Sequence, residues 1–239
     1  MTETPGIRYY DLRQVSGQST HVDVDKGVIE SAGTTFYNKA VIRVLGPRGW
    51  GILQIDNYTP VSGKKFDDLL ASAEKLALMA GDSVDLGDAP RTMRAVPPVK
   101  EDCRDVSIEE KAELLLAIEK AADLPLVTSR RANYLERIEN GRFIDSSGSE
   151  YAYEICRSGF SVMAVASRNG TVQMGYEPEH TIHGFNLRHR EDTGRKAANM
   201  AVSLLDAGLA KGGKMHAILD PELAGVFAHE AQEIPGRQE

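Results

Sequence analysis

Twice along this sequence a series of alternating, β-branched and aromatic segments gives way to an Ala- and Leu-rich segment of helical period. That order constrains the fold more than any other feature, because a half-buried strand series needs an amphipathic helix to cover its apolar face. In the first series, strands are expected at 7–15, 20–30 and 33–56. The segment AVIRVLGPRGWGILQID reads as a hairpin turning at Gly46-Pro47-Arg48-Gly49. FDDLLASAEKLALMAG follows, with Phe66, Leu69, Leu70, Ala73, Leu76, Ala77 and Ala80 at helical spacing and Gly81 as its stop. In the second series, strands are expected at about 125–139, 142–145, 151–157, 159–168 and 171–176. Asn140-Gly141, Ser147-Gly148, Ser158-Gly159 and Asn169-Gly170 lie between them, and Asn-Gly is a strong short hairpin signal. The closing helix runs from about 193 to 209 with Ala197, Ala201, Leu204 and Leu205 inward.

Between the two series lies a polar connector, 82–106, containing Pro90, Pro97 and Pro98. A further helix opens at Ser107, which has capping-box spacing to Glu110 and carries Leu114, Leu115 and Ile118 on its apolar side. The expected architecture is therefore α+β: a largely antiparallel sheet with helices packed on one face, and an internal duplication as a possible origin. Two subdomains are expected, 1–100 and 101–239.

Several function classes are disfavoured. With 28 basic against 35 acidic residues the net charge is −7, which argues against nucleic acid as the main partner. The densest basic cluster, Arg188-His189-Arg190 followed by Arg195-Lys196, reads as a solvated loop and helix start. No apolar run reaches the roughly 20 residues that span a bilayer, so no membrane association is expected. MTETPGIRYYD lacks the basic start and apolar stretch of a secretory signal, and a cytoplasmic protein is the expectation. Cys103 and Cys156 are too few for a disulfide framework or a thiolate-only zinc site and read as buried or incidental thiols.

Chemistry concentrates at the end of the sequence. After Gly212-Gly213 comes KMHAILDPELAGVFAHEAQEIPGRQE. Residues 215–219 read as a short strand, and Asp220-Pro221 is a helix start with an acceptor cap and proline at the first helical position. The helix from Pro221 to about Gln232 carries His229 and Glu230 near its end. A histidine can ligate zinc while an adjacent glutamate acts as general base, but a His-Glu pair is also common on polar helix faces and alone carries little.

The context of that pair is more specific. LDPELAGVFAHEA resembles the signature of the TldD/PmbA family of zinc metallopeptidases, in which Asp-Pro and then Gly-Val-Phe lead into His-Glu-Ala. VIRVLGPRGWGILQID, DVSIEEKAELL and SRNGTVQMGYEP resemble the family as well, so that the likeness covers 7–231 in order. It implies a cytoplasmic zinc-dependent peptidase acting on peptides or unfolded segments, paired as a homo- or hetero-oligomer with a related subunit. It also implies His229 as metal ligand and Glu230 as catalytic base. An older description of the family is a modulator of DNA gyrase.

The sequence departs from the family pattern where a second histidine is due. Position 234 is Ile234, Pro235 would break a continuing helix, and the family's C-terminal half is expected to be absent. The expectation is a metal site left incomplete and a chain inactive alone, since a catalytic zinc takes three protein ligands. Glu233, one turn after His229, could add a carboxylate. His180 and His183 read as an exposed loop pair, and His216 as part of the short strand. The alternative reading is a non-catalytic peptide- or partner-binding subunit, holding an extended segment along a sheet edge.

Overall fold

The computed structural model describes residues 6–81, 84–86 and 98–233. Most of the proline-containing connector, with Pro90 and Pro97, lies outside them. The chain divides into two compact units, Met1–Asp206 and Ala207–Glu239.

In the first unit β1 (Tyr9–Asp25), β2 (Val28–Gly46) and β3 (Gly49–Asp56) precede α1 (Lys64–Met79). A single 3-10 turn, Cys103–Asp105, leads into α2 (Ile108–Lys120). Then β4 (Val127–Asp145), β5 (Glu150–Arg168) and β6 (Thr171–Thr181) precede α3 (Glu191–Leu204). The six strands form one sheet in the order β3-β2-β1-β4-β5-β6, every neighbouring pair antiparallel. The order is symmetrical about the β1–β4 pair. The fold is α+β with an antiparallel sheet, as the alternation implied.

Register decides which residues are buried. Leu12 of β1 faces Ile42 of β2, and Val22 faces Tyr134 of β4, so their side chains share one face of the sheet. The three described helices of this unit pack on that face. α1 lies on β2 and β3, α2 on β1, β2 and β4, and α3 on β5 and β6. Two hydrophobic clusters result. One joins Leu70, Ala73 and Ala77 of α1 to Leu12, Ala40, Ile42 and Val44. The other joins Leu115 and Ile118 of α2, with Ala197 and Ala201 of α3, to Val22, Tyr134, Phe160 and Val162. Each large side chain buried this way contributes about 1.5–3 kcal/mol.

The outer helices reach the sheet through glycine. A Cβ on Gly51 of β3 would lie 1.9 Å from the Ala73 carbonyl oxygen, and one on Gly175 of β6 would lie 2.0 Å from that of Ala197. Ala73 and Ala77 follow Gly51 at the spacing at which Ala197 and Ala201 follow Gly175. The two halves thus use the same device: a bare strand position against a helix face of alanines.

Several sequence expectations hold locally. The hairpin turns between Gly46 and Gly49. Asn169 and Gly170 have φ of 52° and 82°, the paired positive values of a tight hairpin. Ser107 caps α2 by accepting from the Glu110 amide at 3.1 Å.

Strand breaks were expected where none occurs. The segments 7–15 and 20–30 are one strand of 17 residues to Asp25, and the turn falls at Lys26-Gly27, φ 48° and 79°. Likewise Val127–Asp145 and Glu150–Arg168 are single strands, uninterrupted at Asn140-Gly141 and Ser158-Gly159. Gly141 makes room for the Tyr153 ring, which lies 2.1 Å from where a Cβ would be, and Gly159 does the same for His180 at 1.9 Å. A glycine beneath an aromatic ring across a strand pair is a sheet device, not a turn.

Gly175→Val should force α3 from the sheet and lower unfolding free energy by about 1–3 kcal/mol in urea denaturation. Gly208→Ala, with nothing within 4 Å of the added carbon, should be neutral. An unchanged midpoint for Gly175→Val would contradict the close approach.

Candidate functional site

The segment expected to carry chemistry forms α4 (Pro221–Glu233), within the second unit. Its start is built as the sequence implied. The Asp220 carboxylate accepts from the Leu223 amide at 2.8 Å, and its carbonyl oxygen accepts from Ala224 at 2.9 Å. Pro221 sits where no amide donor is needed. Helical period places Glu230 on the side of Leu223, Val226 and Phe227. His229 shares its side with position 233 one turn later. The Glu233 side chain and Ile234 lie outside the described residues. Residues 215–219, expected as a strand, are irregular. A strand needs a neighbour to bond, and the described part of this unit contains none. His216 therefore sits in irregular chain.

At the His229-Glu230 pair the donors are one imidazole beside one carboxylate. Among the described residues no group of three His, Cys, Asp or Glu side chains could hold a metal ion. A catalytic zinc with three protein ligands does not fit what these residues alone supply.

Two further histidines, His180 and His183, lie at the end of β6. His180 lies within β6, not in a loop, with its ring across Gly159. His183 follows the strand, with Nδ1 3.2 Å from the Pro98 carbonyl oxygen. Together with Leu135, Arg137, Arg157 and Ile182 they line a cleft of about 640 Å³. Its two arginines are 20 residues apart in sequence, on different strands, and meet only because β4 and β5 pair with Arg137 directly opposite Arg157. Sequence reading missed them for that reason. Only a correct β4–β5 register would have found them.

The buried ionisable groups form structural ties. Lys111 donates to Glu136 at 2.9 Å and to the Cys103 carbonyl oxygen at 2.8 Å. The Tyr134 hydroxyl donates to the other Glu136 oxygen at 2.7 Å. Burial, with the nearby charge of Glu136 adding to it, pushes the Tyr134 hydroxyl well above its ordinary range. Cys103 and Cys156 are buried, as expected, with their sulfurs 3.1 Å apart. The hydrogen bond between them, then burial, holds the Cys103 thiol up, which is the opposite of an activated nucleophile.

With the geometry in hand, known proteins supply the comparison. The family model for PmbA/TldA metallopeptidase domain 1 matches residues 10–80, and that for the PmbA/TldA metallopeptidase central domain matches 101–205. A metalloprotease of Archaeoglobus fulgidus is 32% identical over 230 residues, 94% of this chain and 51% of the relative. One of Methanocaldococcus jannaschii is 31% identical over 232 residues, 93% and 50% respectively. The chain thus spans about half the length of the curated relatives it matches. Among solved structures, a proposed modulator of a DNA gyrase from Thermotoga maritima aligns with a TM-score of 0.69 at 15% identity, over 86% of this chain and 46% of that one. TldE from Thermococcus kodakarensis aligns at 0.59 and 17%, over 83% and 44%. At these identities the structural likeness speaks to the fold alone.

Lys111→Met should cost about 3–5 kcal/mol in urea denaturation, because it strands the buried Glu136 carboxylate. Lys111→Met combined with Glu136→Gln should regain most of that loss, since a neutral amide still accepts from Tyr134. A single variant as stable as the parent would show that the pair is not a structural tie.

Proposed function

The chain belongs to the PmbA/TldD metallopeptidase family, and on that premise we propose that it contributes to a zinc-dependent peptidase acting on peptides or unfolded segments. The observation that carries this reading is the joint match of two consecutive metallopeptidase domain models, followed by the capped helix bearing LDPELAGVFAHEA. In the proposal His229 is a metal ligand and Glu230 the general base beside it. The other ligands come from polypeptide other than the described residues, and the chain alone is inactive. The subdomains are 1–100 and 101–239, the working form is an oligomer with a related subunit, and the setting is cytoplasmic. Among the described residues no helix is long and apolar enough to cross a membrane.

A second reading, a non-catalytic peptide- or partner-binding subunit, draws on the sheet. β3 pairs with β2 only from Lys39 onward, and β6 pairs with β5 only from Ser158 onward. Val28–Tyr37 of β2 and Glu150–Arg157 of β5 therefore have an outer edge without a partner strand among the described residues. Such edges take up extended peptides through main-chain hydrogen bonds.

Hydrolysis of an unstructured casein-type substrate separates the two. The chain alone should be inactive. Supplied with zinc and with the remaining half of the Archaeoglobus fulgidus relative, it should gain a chelator-sensitive activity. That activity should be abolished by His229→Ala and lowered about 100-fold or more by Glu230→Gln. Activity indifferent to both substitutions would sink the assignment of these residues. Binding without cleavage, unaffected by chelator, would favour the second reading.

A further inference from the structure

The face of the sheet that carries no helix in the first unit holds an unusual pair. Arg137 of β4 and Arg157 of β5 are directly opposed across the ladder. Like charges in that position destabilise a sheet pair. Four other arginines of this unit are neutralised: Arg43 by Asp11, Arg104 by Asp102 and Glu154, Arg130 by Glu119 and Asp123, Arg188 by Glu101 and Glu110. Among the described residues neither Arg137 nor Arg157 makes an ion pair. The carboxylate next along this face, Glu139, takes a hydrogen bond from the Tyr153 hydroxyl at 3.2 Å. Arg137 is steadied instead by the Tyr37 ring, 5.9 Å from its guanidinium carbon.

The surroundings give this pair a shape. The two arginines line the cleft of about 640 Å³, a size suited to a small ligand or a few residues of peptide. Leu135 and Ile182 supply apolar wall, and the His180 ring crosses the bare Gly159. The Ile182–His183 rim is pinned to the segment before α2: the Lys100 amide donates to the His183 carbonyl oxygen at 2.8 Å, and Glu101 bridges Gly184. Two guanidiniums in a rimmed, partly apolar cleft match one chemistry well. A carboxylate accepts paired N–H donors from an arginine fork, and two forks at one place leave it doubly bound.

We propose that this cleft is a carboxylate-binding subsite for peptides, in which Arg137 and Arg157 grip an acidic side chain or a free C-terminus while Leu135 and Ile182 contact the neighbouring residue. This rests on the peptide-acting reading above and adds a substrate class to it: peptides with a negative charge.

The test is calorimetric titration of the whole chain, without metal, using three acetylated peptides. One is tetra-alanine with a free C-terminal carboxylate, one is its amide, and one is an amidated alanine peptide with a central glutamate. At least one carboxylate-bearing peptide should bind about tenfold or more tightly than the neutral amide, and the stronger of the two identifies the source of the carboxylate. Arg137→Gln and Arg157→Gln should each remove most of that preference, with thermal midpoints no lower than the parent's for Arg157→Gln, because a like-charge repulsion is relieved. Arg48→Gln, in the β2–β3 turn, should change nothing. Equal binding of all three peptides, no binding of any, or a preference that survives both substitutions would overturn the subsite. The measurement involves no cleavage, so the two proposals fail separately. Arg-dependent binding by a protein that never cuts peptides would remove the peptidase reading and keep the subsite. Cleavage indifferent to peptide charge would do the reverse.

Discussion

Asp11 to Asp25 of β1 runs antiparallel against Asp145 to Arg131 of β4, and this ladder alone in the sheet joins strands that are not consecutive in sequence. The other four pairings are hairpins that can close locally. The β1–β4 seam closes a loop that holds two strands, two helices and the connector, at an entropic cost that grows with loop length and must be met before its contacts form. It is also the strand pair on which both hydrophobic clusters lean. Leu12 of β1 belongs to the cluster under α1, while Val22 and Val24 of the same strand belong to the cluster under α2 and α3. Without the seam, two three-stranded units would each be left with half a core.

Polar ties reinforce the same join. Glu119 of α2 accepts from the Gly27 amide in the β1–β2 turn and from Arg130 of β4, so one buried carboxylate links both halves of the sheet to the helix between them. Lys111, on the same helix, reaches Glu136 of β4. On the opposite face Asp11 of β1, fully buried, receives Arg43 of β2 through two guanidinium nitrogens. These pairs are fully desolvated on one side at least, so each is costly to break singly and fixes helix and strand positions rather than adding much net stability. With the three described helices of the unit drawn to one face, the other face is left to side chains of the six strands. That is how two opposed arginines come to be available for a ligand.

Legibility from sequence followed the range of the interaction. Local chemistry could be read directly: the Gly46–Gly49 hairpin, Asn169-Gly170, the Ser107 cap and the Asp220-Pro221 helix start all depend on residues within a few positions of each other. Period-2 alternation gave the antiparallel sheet and the helix-covered face. Glycines were misread wherever their role was non-local. Gly141 and Gly159 look like turn residues beside Asn and Ser, yet each lies in mid-strand beneath a ring supplied by the next strand. The strand expected at 215–219 had no partner strand to bond among the described residues. Arg137 and Arg157 are invisible as a pair until register is known. His229 and Glu230 were legible as a motif, and the capped helix that carries them formed as expected. Their chemistry depends on ligands that the described residues do not contain.

The functional account turns on whether His229 is a metal ligand in a site completed from outside the described residues. Equilibrium dialysis of zinc against the chain, with and without the remaining half of a curated relative, measures this most directly. The account predicts weak, substoichiometric binding by the chain alone and one tightly held zinc in the combined protein, lost on His229→Ala. Tight stoichiometric zinc in the combined protein that survives His229→Ala would contradict it.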